Sequence, residues 1–369
     1  MARTIIGLND AKAVRKWSAA LAVDVGRESY FTKKYMGMGE TARTPIQMLQ
    51  HLENDAGEYI SFDLSMQLKM QPVEGDDILE GNEEDLKFYS DGVYIDQMRG
   101  GVNTGGKMTR KRTLHNLRKV AKRRQSEWWA RIFDELFFMY LSGARGMNAD
   151  YIYDTSYTGF AGNALSAPDT DHLLYGGAAT SKASLAATDL FTLGLVDKAK
   201  SRAVMMGGGT QETPQIQPIR IEGNDHYVIV LNPWQEYDVR TATATGQWLD
   251  IQKAAAGSEG RNNPMFKGAV GMYNDVVIQT HKGVIRFDDY GAGGNIAAAR
   301  ALFMGTQAGV IAFGSPGTGL RFDWNEESRD NGNQAVITTS TICGITKATF
   351  NSKDFGVMAL DTAAADPTA

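Results

Sequence analysis

The stretch QMRGGVNTGGKMTRKRTLHNLRKVAKRRQSEWWARIFDELFFMYLSG (residues 97–143) changes character twice within one run. It opens on a glycine-rich joint, GGVNTGGKMT (100–109), in which Gly101, Gly106 and Lys107 match the first part of a phosphate-binding loop, G-x-x-x-x-G-K-[ST]. Met108 stands where that loop needs a magnesium-ligating hydroxyl, and the preceding GVYIDQMRG carries Asp96, Gln97 and Arg99. Those polar residues read as a hairpin strand, not as the buried parallel strand that a phosphate loop follows. A hinge at Gly100, Gly101, Gly105 and Gly106 is the expectation, with a nucleotide-binding enzyme using 101–107 as the alternative. Beyond the joint the period turns helical: Leu114, Leu117, Ala121, Trp128, Ile132 and Leu136 follow i, i+3, i+4 steps. Thr109 can cap the start and Gly143 is placed to end it, so ~34 residues would span roughly 50 Å. The first half is basic (Lys107, Arg110, Lys111, Arg112, Arg118, Lys119, Lys122, Arg123, Arg124), whereas WWARIFDELFFMYL is strongly apolar. The spacing predicts a single spine helix, half solvated and half buried.

Upstream, Ile60, Phe62, Leu64, Met66, Leu68 and Met70 alternate with Ser61, Asp63, Ser65, Gln67 and Lys69, the period of a half-buried strand. LKFYSDGVYIDQM supplies the returning strand. The connection between them is acidic: Glu74, Asp76, Asp77, Glu80, Glu83, Glu84 and Asp85. It lacks calcium-loop spacing, so it reads as the solvated tip of a long hairpin. A two-stranded ribbon is marginal alone, so this one should lie against another surface. Residues 1–57 read as an N-terminal arm, with Val14, Trp17, Leu21 and Val25 at helical spacing and TPIQMLQHLEND as a short helical or loop element.

Downstream, residues 146–184 are rich in Gly, Ser and Thr and read as loops with short strands. LAATDLFTLGLVDKAKSRAVMM is an amphipathic helix starting near Thr188 or Asp189, and IQPIRIEGNDHYVIVL is a hairpin turning at residues 223–225. Asn232-Pro233 opens a helical turn, and TGQWLDIQKAAAG is a further helix. AVGMYNDVVIQTH and RALFMGTQAGVIAFG are strand-rich, and NQAVITTSTICGITKATFNSKDFGVMALD reads as two consecutive strands. Hairpin, long helix and mixed lobe together imply an α+β fold.

The chain has 369 residues, a net charge of −5 and one cysteine, Cys343, which can form no internal bridge and reads as buried in a strand. Five histidines (His51, His115, His172, His226, His281) are scattered without metal spacing, and no G-x-S-x-G elbow accompanies Asp225-His226. No catalytic, cofactor or metal site is expected. The N-terminus has no secretory pattern, and no apolar run reaches the ~20 residues of a membrane span. Basic residues without interleaved aromatics do not indicate base stacking. They suit contact with a polyanion or with acidic surface on another subunit, and the acidic hairpin tip is a chemically suitable partner.

EEDLKFYSDGVYIDQMRGGV running into the spine, IQPIRIEGNDHYVIVLNPWQEYDVR, NPMFKGAVGMYNDVVIQTH, RALFMGTQAGVIAFG and ICGITKATFNSKDFGVMALDT occur in this order. Together they resemble the major capsid proteins of tailed bacteriophages with the Hong Kong ninety-seven fold, specifically the family named after coliphage N-four. The resemblance runs from about Tyr59 to Thr362, with 146–183 matching less clearly, as a lineage-specific insertion would. It implies a non-enzymatic virion protein, assembled in the host cytoplasm as hexamers and pentamers of an icosahedral shell around double-stranded DNA. Portal, scaffolding and cement proteins are the implied partners. It further implies an extended hairpin loop (58–106), a spine helix of the peripheral domain (107–145) and an insertion (146–184). A mainly axial domain (185–322) and C-terminal strands completing the peripheral domain (323–369) follow.

Overall fold

The computed structural model describes residues 11–39, 42–50, 57–65, 68, 70–86, 88–113, 115–206, 215–221, 224–242, 271–315 and 321–368. Helices α1 (Ala11–Glu28) and α2 (Tyr30–Lys34) lead into strands β1 (Met36–Met38) and β2 (Ile46–Leu49). The sequence reading gave residues 46–49 to a helix or loop. They form a strand with all four side chains buried, because neighbouring strands flank it on both edges. Next come β3 (Tyr59–Ser65) and β4 (Phe88–Tyr94), which pair from Tyr59 opposite Tyr94 to Ser65 opposite Phe88, then β5 (Asp96–Asn103).

The spine is two helices, not one: α3 (Lys107–Arg112) and α4 (Leu117–Ser142). Between them Thr113 and Asn116 are extended, and the Asn116 side chain accepts from Lys119 N as the cap of α4. That competing side-chain bond starts a new helix where periodicity alone predicted continuity; Leu114 lies outside the described residues. At 26 residues α4 spans about 39 Å, and left-handed Gly143 ends it as expected.

Short strands β6 (Gly159–Phe160), β7 (Asn163–Ala164) and β8 (Leu173–Tyr175) precede α5 (Leu193–Met205), β9 (Ile219–Ile221), β10 (Asn224–Leu231) and α6 (Pro233–Ala242). The helix expected at TGQWLDIQKAAAG lies outside the described residues. Then follow β11 (Gly271–Tyr273), β12 (Val276–Thr280), β13 (Arg286–Tyr290), β14 (Ile296–Met304) and β15 (Gly309–Gly314). The chain closes with β16 (Phe322–Arg329), β17 (Gln334–Lys347), the small hairpin β18 (Thr349–Phe350) and β19 (Lys353–Asp354), and β20 (Val357–Ala363).

These strands make two principal sheets. The first orders β1-β2-β15-β17-β16, with β5 also on β17; the second orders β11-β12-β10-β14-β20-β8, with β13 on β14 and β9 on β10. β15, within the range 185–322, pairs in the first sheet, and β20, within 323–369, lies between β14 and β8 in the second. The chain crosses between sheets after β14 and returns before β20. The two crossings run side by side, with Gly305 N donating to Gly356 O at 2.8 Å.

Burial explains the arrangement. On the second sheet Val228, Val230, Val277, Leu302 and Met304 face the spine, joining Phe133, Phe137 and Phe138 of α4 in one core. Tyr227, Ile229, Leu231, Ile278 and Phe303 face the other way, against Val196, Ala199 and Ala203 of α5. A sheet covered on both faces needs near-continuous apolar strands, which HYVIVL provides. The arm segment is not left waiting for a partner. Leu21, Val25 and Phe31 enter the spine core, and Asp134 of α4 accepts from Ser29 Oγ (2.8 Å), Tyr30 N (2.9 Å) and Phe31 N (3.2 Å).

Candidate functional site

The projecting feature is the β3–β4 hairpin with its long connection. Ile60 and Val93 at its base are buried with Phe350 and Phe355. Farther out, burial fails on both sides of the alternation. Leu68, Met70, Ile78, Leu79, Leu86 and Phe88 are all exposed, from 47% to 73%. Among the acidic residues of this connection, Glu74, Asp76, Asp77, Glu80, Glu83 and Asp85 are exposed and Glu84 is half-buried, accepting from Met70 N at 2.8 Å. Six large apolar side chains interleaved with carboxylates form a surface that water solvates poorly.

The glycine joint is not a single hinge. Gly100 and Gly101 lie inside β5, opposite Thr339 and Thr338 of β17, and a Cβ on Gly100 would collide with the Trp128 ring. Only Gly105 takes a left-handed conformation (φ 76°), and Gly106 caps α3. The turn is fastened: Thr104 N donates to Ala335 O (2.9 Å), Lys107 N to Asn333 Oδ1 (3.1 Å) and Arg110 Nη2 to Asn333 O (2.9 Å). The break in the strand path lies earlier, at Ile95 between β4 and β5. There the Asn163 side chain brackets Tyr94, accepting from its N–H (3.0 Å) and donating to its carbonyl (2.8 Å). The phosphate-loop alternative loses its context as well, since β5 is antiparallel to its neighbour in a sheet and not a buried parallel strand.

The basic face divides into two parts. Arg118 reaches Glu326 of β16 (2.6 Å), Lys122 reaches Asp24 of α1 (3.0 Å), and Arg123 and Arg124 both engage Glu127, lowering its carboxyl. These four hold the spine to its own chain or to itself. Lys107, Lys111, Arg112 and Lys119 are exposed, and no ion pair to another described residue engages them.

Sequence reasoning missed the role of the loop between β6 and β8. Besides Asn163 on Tyr94, Lys347 Nζ donates to Ser166 O (3.0 Å), and Tyr140 Oη donates to Asn163 O (2.7 Å). The segment treated as an insertion is a wedge between hairpin base, spine and second sheet. Its polar Gly/Ser/Thr composition hid that, because the contacts are hydrogen bonds and not an apolar stripe. Among the described residues no cluster of three His, Cys, Asp or Glu is arranged to hold a metal, and no helix is long and apolar enough to cross a membrane. Cys343 is fully buried, and burial pushes its thiol up to about 12, so it is no nucleophile at neutral pH.

Comparison with known proteins decides what this architecture is for. Residues 5–366 match the family model described as phage capsid protein. The chain belongs to the phage capsid protein family. The capsid of Ralstonia phage GP4 superimposes with a TM-score of 0.86 at 51% identity, covering 99% of each chain. The major capsid protein of Pseudomonas phage KPP25 is 28% identical over 363 residues, covering 89% of this chain and 90% of that one. A cyanophage Pam1 capsid chain shares the fold at 22% identity, with a TM-score of 0.70 over 92% and 93% of the two chains. This is a major capsid protein with the Hong Kong ninety-seven fold, a structural component of the virion and not an enzyme. The family shown is wider than the N-four-like group to which the sequence blocks pointed.

Proposed function

We propose that copies of this capsid protein associate as hexamers and pentamers and close an icosahedral shell around double-stranded DNA. The assembly takes place in the host cytoplasm, with portal, scaffolding and cement proteins as partners. The observation that carries the reading is the β3–β4 hairpin, whose apolar and acidic connection stays exposed and is not seated on the other described residues. Such a surface is buried by lying across a neighbouring subunit. The first sheet with the spine acts as the peripheral domain and the second sheet with α5 and α6 as the axial domain. Lys107, Lys111, Arg112 and Lys119 supply positive charge for a neighbour's acidic tip, which makes assembly salt-sensitive. Their contact with packaged DNA is the second use of the same face.

Electron microscopy of the purified or co-expressed chain tests this: capsomers, tubes or shells are expected, fewer at high salt. A monomer that persists at high concentration with phage partners present would overturn it.

A further inference from the structure

At the end of β17, Lys347 is almost completely enclosed, with its side chain 1% exposed, and so is Asp354 of β19 at 4%. Lys347 Nζ lies 2.7 Å from Asp354 Oδ1. The other carboxyl oxygen, Oδ2, is buried and has no hydrogen-bond partner among the described residues. Beside the pair lies His172, fully buried, with Nδ1 2.9 Å from Asp169 Oδ2. Asp169 also accepts from Asp354 N at 2.7 Å. The other ring nitrogen, Nε2, is buried too and has no hydrogen-bond partner among the described residues. Asp354 lies within electrostatic reach of His172.

Two charges buried in this way carry a desolvation cost that an imperfectly satisfied carboxylate does not recover. Burial lowers the lysine and raises the aspartate, each partly offset by the other. An amine held 2.7 Å from a carboxyl oxygen, with water excluded, is the reactant pair of an amide. An amide has no charge left to desolvate.

We propose that Lys347 and Asp354 join in the folded chain through an intrachain isopeptide bond between Nζ and Cγ. A proton passes from Nζ to Oδ1 along their hydrogen bond, and the freed lone pair attacks Cγ. The Cγ–O bond to one carboxyl oxygen then breaks. That oxygen leaves as water with two of the three ammonium protons, and the third remains on the amide nitrogen. No atom changes oxidation state, so no further reactant is required. His172 Nε2 carries the second proton from nitrogen to the departing oxygen, and Asp169 is the positioning residue for its ring. The bond staples the β18–β19 hairpin, the seat of the projecting hairpin: Thr349 N and Oγ1 donate to Asp91 Oδ2 at 2.8 and 2.9 Å, and Phe350 packs edge-on to Phe62.

Intact mass spectrometry of the full-length chain, denatured after folding, tests the bond. The expected mass is one water below that of the linear chain, with a branched tryptic peptide joining Lys347 to Asp354. Lys347→Arg and Asp354→Ala should restore their linear masses. Asp354→Asn should lose ammonia instead and reach the same final mass as the crosslinked wild type. On refolding from urea, His172→Gln should slow the mass loss by about a hundredfold. A wild-type chain that folds and keeps its linear mass overturns the proposal, whatever the variants do.

Discussion

Arg300 shows how one residue joins the second sheet to the spine. Its Nε and Nη2 donate to the two oxygens of Asp361 at 2.7 Å each, and Nη1 donates to Ser142 O at the end of α4 at 2.8 Å. Tyr290 closes the network by donating to Asp361 Oδ2 at 2.7 Å. Asp361→Asn keeps the shape but strands a buried guanidinium, so unfolding free energy should fall by about 3–5 kcal/mol in urea titration. A loss below ~1 kcal/mol would mean that water already shares the site. His281 provides a pH-dependent test at the same scale. Its ring stacks between Tyr30 (centroids 4.5 Å apart) and Phe138 (5.0 Å), and burial, with Lys282 and Lys34 nearby, lowers it from 6.5 to about 4. Between those values the unfolded chain binds the extra proton, so stability present above pH 6.5 is lost as the pH falls. Asp134 acts in the opposite sense. Burial, against hydrogen bonds from Tyr30, Ser29 and Phe31, raises its carboxyl from 3.8 to about 6, so acidification from pH 6 to 4 favours the folded state there. His281→Phe should therefore leave Asp134 unopposed and remove about 2–3 kcal/mol of the acid loss between pH 6.5 and 4. Urea midpoints at stepped pH read this directly, and an unchanged slope would assign the acid limb to other groups.

Among the elements, the spine separates what periodicity can tell from what it cannot. The apolar half of α4, the hairpin alternation over its base (59–63) and HYVIVL were legible because burial writes a period into the residue types. The break at residues 113–116 was not, because one Asn116 side-chain bond competes with helix continuation and leaves the apolar pattern unaltered. The basic run shows the same limit. Its composition was plain, but Arg118 and Lys122 turned out to answer Glu326 and Asp24 across the fold. Reversal of Arg118 and Lys122 to glutamate would face carboxylate with carboxylate, so the double variant should lose about 1–2 kcal/mol of stability even as a free subunit. Reversal of Lys107, Lys111 and Arg112 should change the melting temperature little and reduce assembly. Melting curves beside particle yield separate the sets, and equal destabilisation by both would refute the division.

At the scale of the whole molecule, the chain keeps its core and projects its least self-sufficient surface. The two sheets share the spine, their crossings are joined at Gly305 and Gly356, and the 163–175 wedge fixes the hairpin base. None of that was written locally, because the partners are up to about two hundred residues apart and meet through backbone groups and buried charges. Lys347 and Asp354 share one stretch, but His172 lies about 175 residues upstream, so no motif could have gathered all three. The architecture instead predicts independence between base and tip. Residues 71–85 add exposed apolar and acidic side chains but no core contact, while Ile60, Val93 and Asp91 hold the base. Replacement of residues 71–85 by a short Gly-Ser linker should therefore leave the melting temperature of the free subunit within a few degrees. It should also remove Ile78, Leu79 and the seven acidic residues from the surface that a neighbour covers, so particle yield should fall at every salt concentration. Lys107, Lys111 and Arg112 reversals, which leave the apolar tip in place, should regain particles when paired with Glu74, Asp76 and Asp77 changed to lysine. Rescue by the charge swap and none for the linker variant would place electrostatics in pairing and apolar burial in adhesion. Normal shells from the linker variant would remove the hairpin tip from the assembly contact altogether.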